Sequence, residues 1–238
     1  LNAFEQEMIL SDMVVAERRL EKIELGYKRG VKTPAVQIEE RALRRILEHL
    51  QENKCIRDLA LPPEEEKAVR GFQFFSSKPI LILLNTSEEG YQSPDPALAE
   101  FSEKGYLAEQ IAGKFEHELS LLDPDEAGMF MEDMGITSSA KDRVTMLCYR
   151  LLGLISFFTV GEDEVRAWTI TQGTNAVNAA GKIHSDLARG FIRAECFGYE
   201  AIMEHGSEKH LKEKGLFRLE GKEYIVQDGD ILSIRFNV

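Results

Sequence analysis

Two stretches near the start of the chain repeat apolar residues every three or four positions, from residue 9 to 27 and from residue 36 to 50. This spacing places the apolar side chains on one stripe of a helix. Gly30 and Pro34 separate the stretches, and helices joined by so short a connection pack as an antiparallel pair. We therefore predict a coiled-coil-like helical hairpin within residues 1–72.

The middle of the chain carries a run of consecutive apolar residues at positions 80–84, between a proline and an asparagine. Such a run is typical of a strand that is buried on both faces, as in a parallel α/β sheet. The next strand would include residues 108–110, whose Ala-Glu-Gln sequence has low strand propensity, so we expect it to be short or frayed. We predict that residues 73–150 form the distal part of an α/β domain with trailing helices.

Alternating apolar and polar positions mark the last part of the chain. Residues 154–160 and 164–170 flank Gly161 and acidic residues, which predicts a β-hairpin. The further predicted elements are a helix over residues 175–182, a strand from Phe191, a hairpin around Gly221 and a strand over residues 231–236. Residues 151–238 should form a small mixed sheet with helices on one side. The predicted fold class is therefore mixed, α+β and α/β.

The composition limits the partners and the compartment. The chain has 238 residues, 43% of them hydrophobic, and a formal net charge of −12. It can bury a core, and its surface as a whole repels nucleic-acid phosphates, so we expect no DNA partner. Three scattered cysteines fit free thiols in a reducing compartment. Without an apolar run near the roughly 18 residues of a membrane span, we expect a cytoplasmic protein and no membrane contact.

Residues 85–88, Asn-Thr-Ser-Glu, follow directly on the predicted strand. In open α/β sheets, ligands bind beyond the carboxyl ends of strands. The Asn85 amide offers a donor and an acceptor to a purine edge, and the Glu88 carboxylate can accept from an exocyclic N–H. The alternative is that Asn85 only closes the strand in an Asx-type turn. The residues alone leave both interpretations open.

Two ordered sets of residues near the C-terminus form long motifs. The first set consists of Arg166-Ala167-Trp168-Thr169, Gly173-Thr174, Ala179-Ala180-Gly181, Ile183-His184-Ser185-Asp186 and Gly190-Phe191-Ile192-Arg193-Ala194-Glu195. The second runs from Leu219 to Asp230 and reads LEGKEYIVQDGD. Both resemble the TGS domain of the Obg-like ATPase (YchF) family. The resemblance implies a β-grasp, ubiquitin-like TGS domain over residues 151–238.

Two motifs in the middle of the chain resemble nucleotide-binding motifs of the same family. Residues 78–90, KPILILLNTSEEG, are similar to the fourth motif, where Asn-x-x-Glu replaces the Asn-Lys-x-Asp of GTPases. The resemblance implies that Asn85 and Glu88 bind adenine in preference to guanine. Residues 112–119, AGKFEHEL, are similar to the fifth motif, in which Ala112-Gly113 replace the usual Ser-Ala and would add a nucleotide contact. That departure implies weak or absent ATP binding by this chain.

The resemblance implies a helical hairpin, the remnant of a P-loop-type α/β domain and a TGS domain. The implied function is that of an ATP-preferring, GTP-tolerant P-loop NTPase that associates with the ribosome or translation factors, with RNA contact through the TGS domain as a further option. Mg²⁺ would accompany the nucleotide in the full-length parent. The helical pattern is already under way by Phe4, so we expect the chain to be a fragment of a longer product.

The phosphate-binding pattern Gly-x-x-x-x-Gly-Lys-Ser/Thr does not occur in the 238 residues. Ala180-Gly181-Lys182 has the wrong spacing for it. We therefore predict no catalytic residues and no hydrolysis by this chain alone. The alternative function is a stand-alone TGS-containing module that contacts the ribosome, RNA or a translation factor.

Several other side chains have a plain structural interpretation. His184 lies beside Ser185 and Asp186, but adjacent residues rarely form a triad, so we predict a turn histidine. His205 and His210 are placed on different faces of a helix, and we predict no metal site. Trp168 should pack rather than stack on RNA. The basic residues of a candidate RNA-binding patch are Lys182, Arg189, Arg193, Lys209, Lys212, Lys214 and Arg218.

Overall fold

The computed structural model describes residues 1–133, 135–161 and 163–237. The chain divides into two compact units, Leu1–Ile80 and Leu81–Val238. The predicted boundaries at residues 72 and 150 remain predictions.

The first unit is a helical hairpin followed by a third helix. Its helices are α1 (Asn2–Lys28), α2 (Pro34–Gln51) and α3 (Pro63–Val69). Thr33 caps α2 by accepting a hydrogen bond from Val36 N, because the first N–H groups of a helix have no partner within it. The apolar stripes share one core, which includes Ala16, Leu20, Leu43, Ile46 and Leu50. The hairpin predicted from the apolar spacing is confirmed.

One carboxylate interrupts the apolar stripe of α1. Asp12 is 1% exposed. Its oxygens accept hydrogen bonds from Phe75 N at 2.9 Å, from Ser76 N at 2.7 Å and from Ser76 Oγ at 2.7 Å. A buried carboxylate is tolerated when it has such partners. Asp12 therefore fastens residues 75 and 76 to α1, a contact that the periodicity did not predict.

The second unit begins with a parallel strand pair and its helices. The elements are β1 (Leu81–Asn85), α4 (Glu88–Tyr91), α5 (Pro96–Glu103), β2 (Leu107–Ile111), α6 (Gly113–Leu119), α7 (Pro124–Asp133) and α8 (Ala140–Leu151). The register of β1 and β2 runs from Leu81 opposite Leu107 to Asn85 opposite Ile111. The carboxyl ends of both strands therefore meet at one edge.

Two expectations about these strands are wrong. β2 is not frayed, because all of its residues pair with β1, and this pairing outweighs the low propensity of Ala-Glu-Gln. β1 is not buried on both faces, since Leu83 is 41% exposed. The reason is that, within the described ranges, β2 is the single strand that pairs with β1.

The rest of the second unit is a five-stranded mixed sheet with helices. Its elements are β3 (Leu154–Val160), β4 (Val165–Thr171), α9 (Ala176–Ile183), α10 (Ser185–Arg189), β5 (Phe191–Gly198), α11 (Tyr199–His205), α12 (Glu208–Glu213), β6 (Arg218–Glu220) and β7 (Asp230–Phe236). The strand order is β4-β3-β7-β5-β6. β3 and β7 are parallel, and the other neighbours are antiparallel. This order is the β-grasp topology, as predicted.

Helices cover both faces of this sheet, whereas the sequence predicted them on one side. Phe157 packs in the core under α9 and α10, and its neighbour Phe158 packs in a second cluster with α11 and α12. Successive strand residues point to opposite faces, so the two clusters lie on opposite sides. The hairpin predicted around Gly221 is also wrong, because β6 and β7 each pair with β5 rather than with each other.

Candidate functional site

The edge where β1 and β2 end brings together Asn85, one of the two predicted base-binding residues, with Ala112 and Gly113, the predicted additional nucleotide contacts. Asn85 is the last residue of β1, and Ala112 and Gly113 follow β2 directly. Asn85 Oδ1 accepts a hydrogen bond from Gly113 N at 2.9 Å. The segments that resemble the fourth and fifth nucleotide motifs are therefore joined by a direct contact.

The other predicted base-binding residue, Glu88, begins α4. Ser87 caps this helix, and its Oγ accepts a hydrogen bond from Gly90 N at 3.2 Å. Asn85 and Glu88 are both exposed. Within residues 1–133, 135–161 and 163–237, neither Asn85 Nδ2 nor the Glu88 carboxylate has a hydrogen-bond partner. The edge therefore presents one donor and one acceptor, and adenine offers the complementary ring nitrogen and exocyclic amine.

As Asn85 is placed, the space beside position 113 accommodates glycine but no larger residue. A Cβ atom there would lie 2.9 Å from Asn85 Oδ1, which is closer than real Cβ atoms come. Glycine therefore lets the backbone N–H reach the Asn85 oxygen. The Ala112 side chain is 2% exposed and packs with Phe115 and Leu119. A ligand could thus meet the backbone of residues 112 and 113 but not the Ala112 methyl group.

An arginine on α8 connects the elements around this edge. Arg143 Nε donates to Glu109 Oε1 at 2.9 Å, and Arg143 Nη2 lies 3.6 Å from Glu116 Oε1. The guanidinium lies over the ring of Tyr91, 5.9 Å from its centroid. Glu116 Oε2 also accepts from Ala140 N at 2.9 Å. One cation thus links β2, α4, α6 and α8, a connection that the sequence did not predict.

The histidines have local roles. His184 caps α10, where its Nδ1 accepts a hydrogen bond from Asp186 N at 3.2 Å. His205 and His210 lie on two helices, α11 and α12, rather than on two faces of one helix. Over the described part of the chain, no group of three or more His, Cys, Asp or Glu side chains could hold a metal ion.

Trp168 and several basic residues of the β-grasp domain are engaged within the chain. Trp168 Nε1 donates to Thr159 Oγ1 at 2.9 Å, and the Arg166 guanidinium lies 4.2 Å from the indole centroid. Three residues of the candidate basic patch form ion pairs, namely Arg189, Lys212 and Arg218. Counting only partners that the structure describes, the members without an ion pair are Lys182, Arg193, Lys209 and Lys214.

A polar network connects β5, β6 and β7 with the segment that precedes β7. Tyr224 OH donates to Asp230 Oδ2 at 2.7 Å, and Arg218 Nη2 donates to Asp230 Oδ1 at 3.2 Å. Burial, together with the Asp230 carboxylate, raises the pKa of the Cys196 thiol to about 12. Burial and the hydrogen bond to Asp230 also raise the pKa of Tyr224. Cys196 is therefore a protonated, unreactive thiol at neutral pH.

The fold and the strand edge define a mixed α/β protein in which a β-grasp domain follows a parallel strand pair with free polar groups at its carboxyl end. The family model YchF-GTPase_C, described as a protein of unknown function (DUF933), matches residues 154–237. The "Ribosome-binding ATPase YchF" of Bacillus subtilis (strain 168) is 40% identical over 238 residues, which cover 98% of this chain and 64% of that protein. The chain belongs to the Obg-like ATPase (YchF) family.

Two further relatives support the same conclusion. Obg-like ATPase 1 of Caenorhabditis elegans is 34% identical over 100% of this chain and 61% of its own length. The structure of the Schizosaccharomyces pombe YchF GTPase matches with a TM-score of 0.81 at 26% identity, over 98% of this chain and 64% of that one. The chain thus spans just under two thirds of the length of these relatives.

Among the helices that the structure describes, none combines the length and the apolar character that crossing a bilayer requires.

Proposed function

We propose that this chain carries the base-recognition edge of an ATP-preferring, GTP-tolerant nucleotide-binding domain. The observation that carries the proposal is the hydrogen bond from Gly113 N to Asn85 Oδ1. It occupies the acceptor of the amide and leaves the Nδ2 donor for a ring nitrogen. The Glu88 carboxylate would accept from the exocyclic amine of adenine, where guanine has a carbonyl oxygen that a carboxylate repels.

ATP binding by these 238 residues is proposed to be weak. Asn85, Glu88 and the backbone of residues 112–113 would hold the adenine. The phosphates and Mg²⁺ require a glycine-rich loop with a lysine and a Ser/Thr, a pattern that the 238 residues do not contain. We therefore propose that the chain does not hydrolyse ATP on its own. Phosphate release that scales with protein concentration and survives Glu88→Gln would contradict this proposal.

Titration of the 238-residue protein with ATP and with GTP, followed by amide chemical shifts, tests base recognition. We expect shifts at residues 85–88 and 112–113 and about tenfold tighter binding of ATP. Glu88→Gln replaces an acceptor oxygen by a donor and should abolish the preference. Glu89→Gln, the same change at the neighbouring exposed position, should keep it. A preference that Glu88→Gln leaves intact would refute the assignment.

We also propose that the β-grasp domain is a TGS domain and that the chain contacts the ribosome or translation factors in the cytoplasm. One support is the name of the Bacillus subtilis relative, which is ribosome-binding. The second is the set of cations without ion pairs on this domain, which could meet RNA phosphates despite the net charge of −12.

The alternative is a stand-alone TGS-containing binding module that acts without nucleotide. Its support is that the five-stranded sheet has an apolar core of its own. Co-sedimentation with ribosomes at two salt concentrations, with and without ATP, separates the two functions. Binding that ATP does not change would favour the alternative, and no binding at either salt concentration would exclude both forms of ribosome contact.

Charge-reversal substitutions of lysines test whether the β-grasp domain makes the proposed ribosome contact. The double substitution Lys209→Glu and Lys214→Glu should weaken co-sedimentation by about tenfold, because two phosphate contacts become repulsive. Lys114→Glu with Lys141→Glu makes the same charge change at exposed positions outside the β-grasp domain and should have little effect. Equal weakening by both pairs would show a general charge effect instead of a specific surface.

A further inference from the structure

Gln110 is a buried polar residue within the parallel strand pair. It is 7% exposed and stands opposite Leu84 in the register. A buried amide needs partners for its oxygen and for its nitrogen, because an unpaired donor or acceptor in the interior is destabilising. The identity of those partners therefore shows what this side chain holds in place.

The Gln110 amide holds the segment that follows Asn85. Its Oε1 accepts a hydrogen bond from Asp95 N at 2.9 Å, and its Nε2 donates to Gly90 O at 2.9 Å and to Ser93 O at 3.2 Å. This set of partners defines the amide orientation, since the reverse orientation would place an acceptor against two carbonyl oxygens. One side chain thus attaches three backbone groups between residues 90 and 95 to β2.

This attachment matters because Glu88 lies on α4, a helix of a single turn. So short a helix has little stability of its own, and its last carbonyl groups have no partners within it. Gly90 O is one of those carbonyls; it accepts from Ser93 N, outside the helix, at 3.3 Å and from Gln110 Nε2 at 2.9 Å. At the other end of α4, Ser87 supplies the cap. The Ser87 cap and the buried amide therefore hold α4, and with it Glu88, together with Arg143, whose guanidinium lies over the ring of Tyr91.

We propose that Gln110 is a positioning residue for purine recognition. It determines where Glu88 lies relative to Asn85 and thereby sets the preference for adenine over guanine. This inference rests on the proposed function of Asn85 and Glu88 in base binding. Gln110 acts through Glu88 and contacts no nucleotide itself, because it is buried and both ends of its amide are engaged.

Two substitutions separate the parts of this contact. Gln110→Glu keeps the size of the side chain and the acceptor for Asp95 N, but it places an oxygen against Gly90 O and Ser93 O. Gln110→Met has a similar length, is neutral and loses the three bonds to backbone groups and the longer bond to Thr86 Oγ1 at 3.5 Å. The matched control is Gln92→Glu, which adds the same charge at an exposed position in the same segment. Circular dichroism and thermal unfolding establish that each variant is folded.

The first measurement is hydrogen exchange of the amides of residues 86–95, which needs no nucleotide. Both Gln110 variants should exchange about tenfold faster than the wild type in this segment, and the Asp95 amide should lose protection in Gln110→Met. Gln92→Glu should exchange at wild-type rates. Wild-type rates in both Gln110 variants would overturn the inference.

The second measurement is the ratio of ATP to GTP affinity in the 238-residue protein. We expect the ratio to fall about tenfold in both Gln110 variants and to be retained in Gln92→Glu. A merely structural role would weaken ATP and GTP equally and leave the ratio unchanged, which would overturn the inference alone. A wild-type protein that binds neither nucleotide would instead refute the proposed function, and the role of Gln110 in base preference with it.

Discussion

The two sheets of the second unit are stabilised in opposite ways. The five-stranded sheet encloses an apolar core, in which Phe157 and Leu232 are at most 1% exposed. The β1–β2 pair buries less apolar surface, since Leu83 is 41% exposed, and polar contacts of Gln110 and Arg143 connect it to its surroundings. The larger sheet is stabilised by many apolar contacts. The smaller sheet depends on a few polar contacts.

This difference separates the residues that reveal the family from those that we propose to bind nucleotide. The motifs that resemble a TGS domain include Ala179 and Ala180, which are completely buried and report on close packing under α9. The free polar atoms of Asn85 and Glu88 lie at the carboxyl end of the smaller sheet and on α4, which follows it. Groups kept available for a ligand cannot also stabilise the fold, so other side chains must hold the edge.

The largest expected effect is a test of the apolar core. Phe157→Ala removes a fully buried ring and leaves a cavity, so we expect the free energy of unfolding to fall by about 3–5 kcal/mol. Val165→Ala, at a position 68% exposed on the adjacent strand, should change it by less than about 0.5 kcal/mol. Urea unfolding measures both. Equal effects would show that the core does not stabilise the larger sheet.

The next effect tests the dependence of the smaller sheet on one cation. Arg143→Met leaves Glu109 and Glu116 without their shared partner, and we expect a loss of about 2–3 kcal/mol. Lys114→Met removes an exposed cation that lies 3.6 Å from Glu118 and should cost less than about 0.5 kcal/mol. The same urea unfolding compares the two. If Arg143→Met lowers the free energy of unfolding no more than Lys114→Met does, the smaller sheet does not depend on this cation.

A smaller effect concerns the response of the larger sheet to alkali. Burial raises the pKa of the Cys196 thiol from its ordinary value of 9.0 to about 12 in the folded protein. Because the folded-state pKa is raised, its contribution is complete below about pH 9 and is lost between about pH 9 and 12, at up to about 1.4 kcal/mol per pH unit. Unfolding free energies from about pH 8 to about pH 10.5 should decline, and Cys196→Ala should reduce the slope. A slope that Cys196→Ala leaves unchanged would show that this thiol does not carry the response.

The smallest effect tests the contact between the two segments that we propose to bind nucleotide. Gly113→Ala places a Cβ atom 2.9 Å from Asn85 Oδ1, so the hydrogen bond should weaken at a net cost of about 1 kcal/mol or less. The amide chemical shift of residue 113 should change because its hydrogen bond to Asn85 Oδ1 weakens. Gly128→Ala, within α7 and with nothing within 4 Å of the added atom, should instead stabilise by about 0.5–1 kcal/mol. If both substitutions change the free energy of unfolding in the same direction, the added Cβ atom at position 113 does not disturb Asn85.

The sequence predicted the features that local patterns control. The spacing of apolar residues located α1 and α2, alternation located β3 and β4, and the position of Asn85 after an apolar run placed it at the end of a strand. These features depend on residues close together in the sequence, which is why periodicity and turn chemistry were sufficient.

The polar contacts were not predictable in the same way. Gln110 interrupts a strand and Asp12 interrupts an apolar stripe, and each resembles an exposed position when read alone. Their partners lie 15 to 20 residues away for Gln110 and 63 to 64 residues away for Asp12. The placement of α11 and α12 was missed for a related reason, since the face that a helix covers depends on how the chain crosses the sheet.

Asp12 has a consequence for the order in which the first unit is assembled. Synthesis proceeds from the N-terminus, so α1 and α2 are complete before Phe75 and Ser76, the partners of this carboxylate, have been made. Until then, the Asp12 carboxylate has water in place of these donors, because a carboxylate buried without hydrogen bonds is destabilising. We expect residue 12 to stay hydrated in the nascent hairpin and to become buried only when residues 75 and 76 arrive and replace that water.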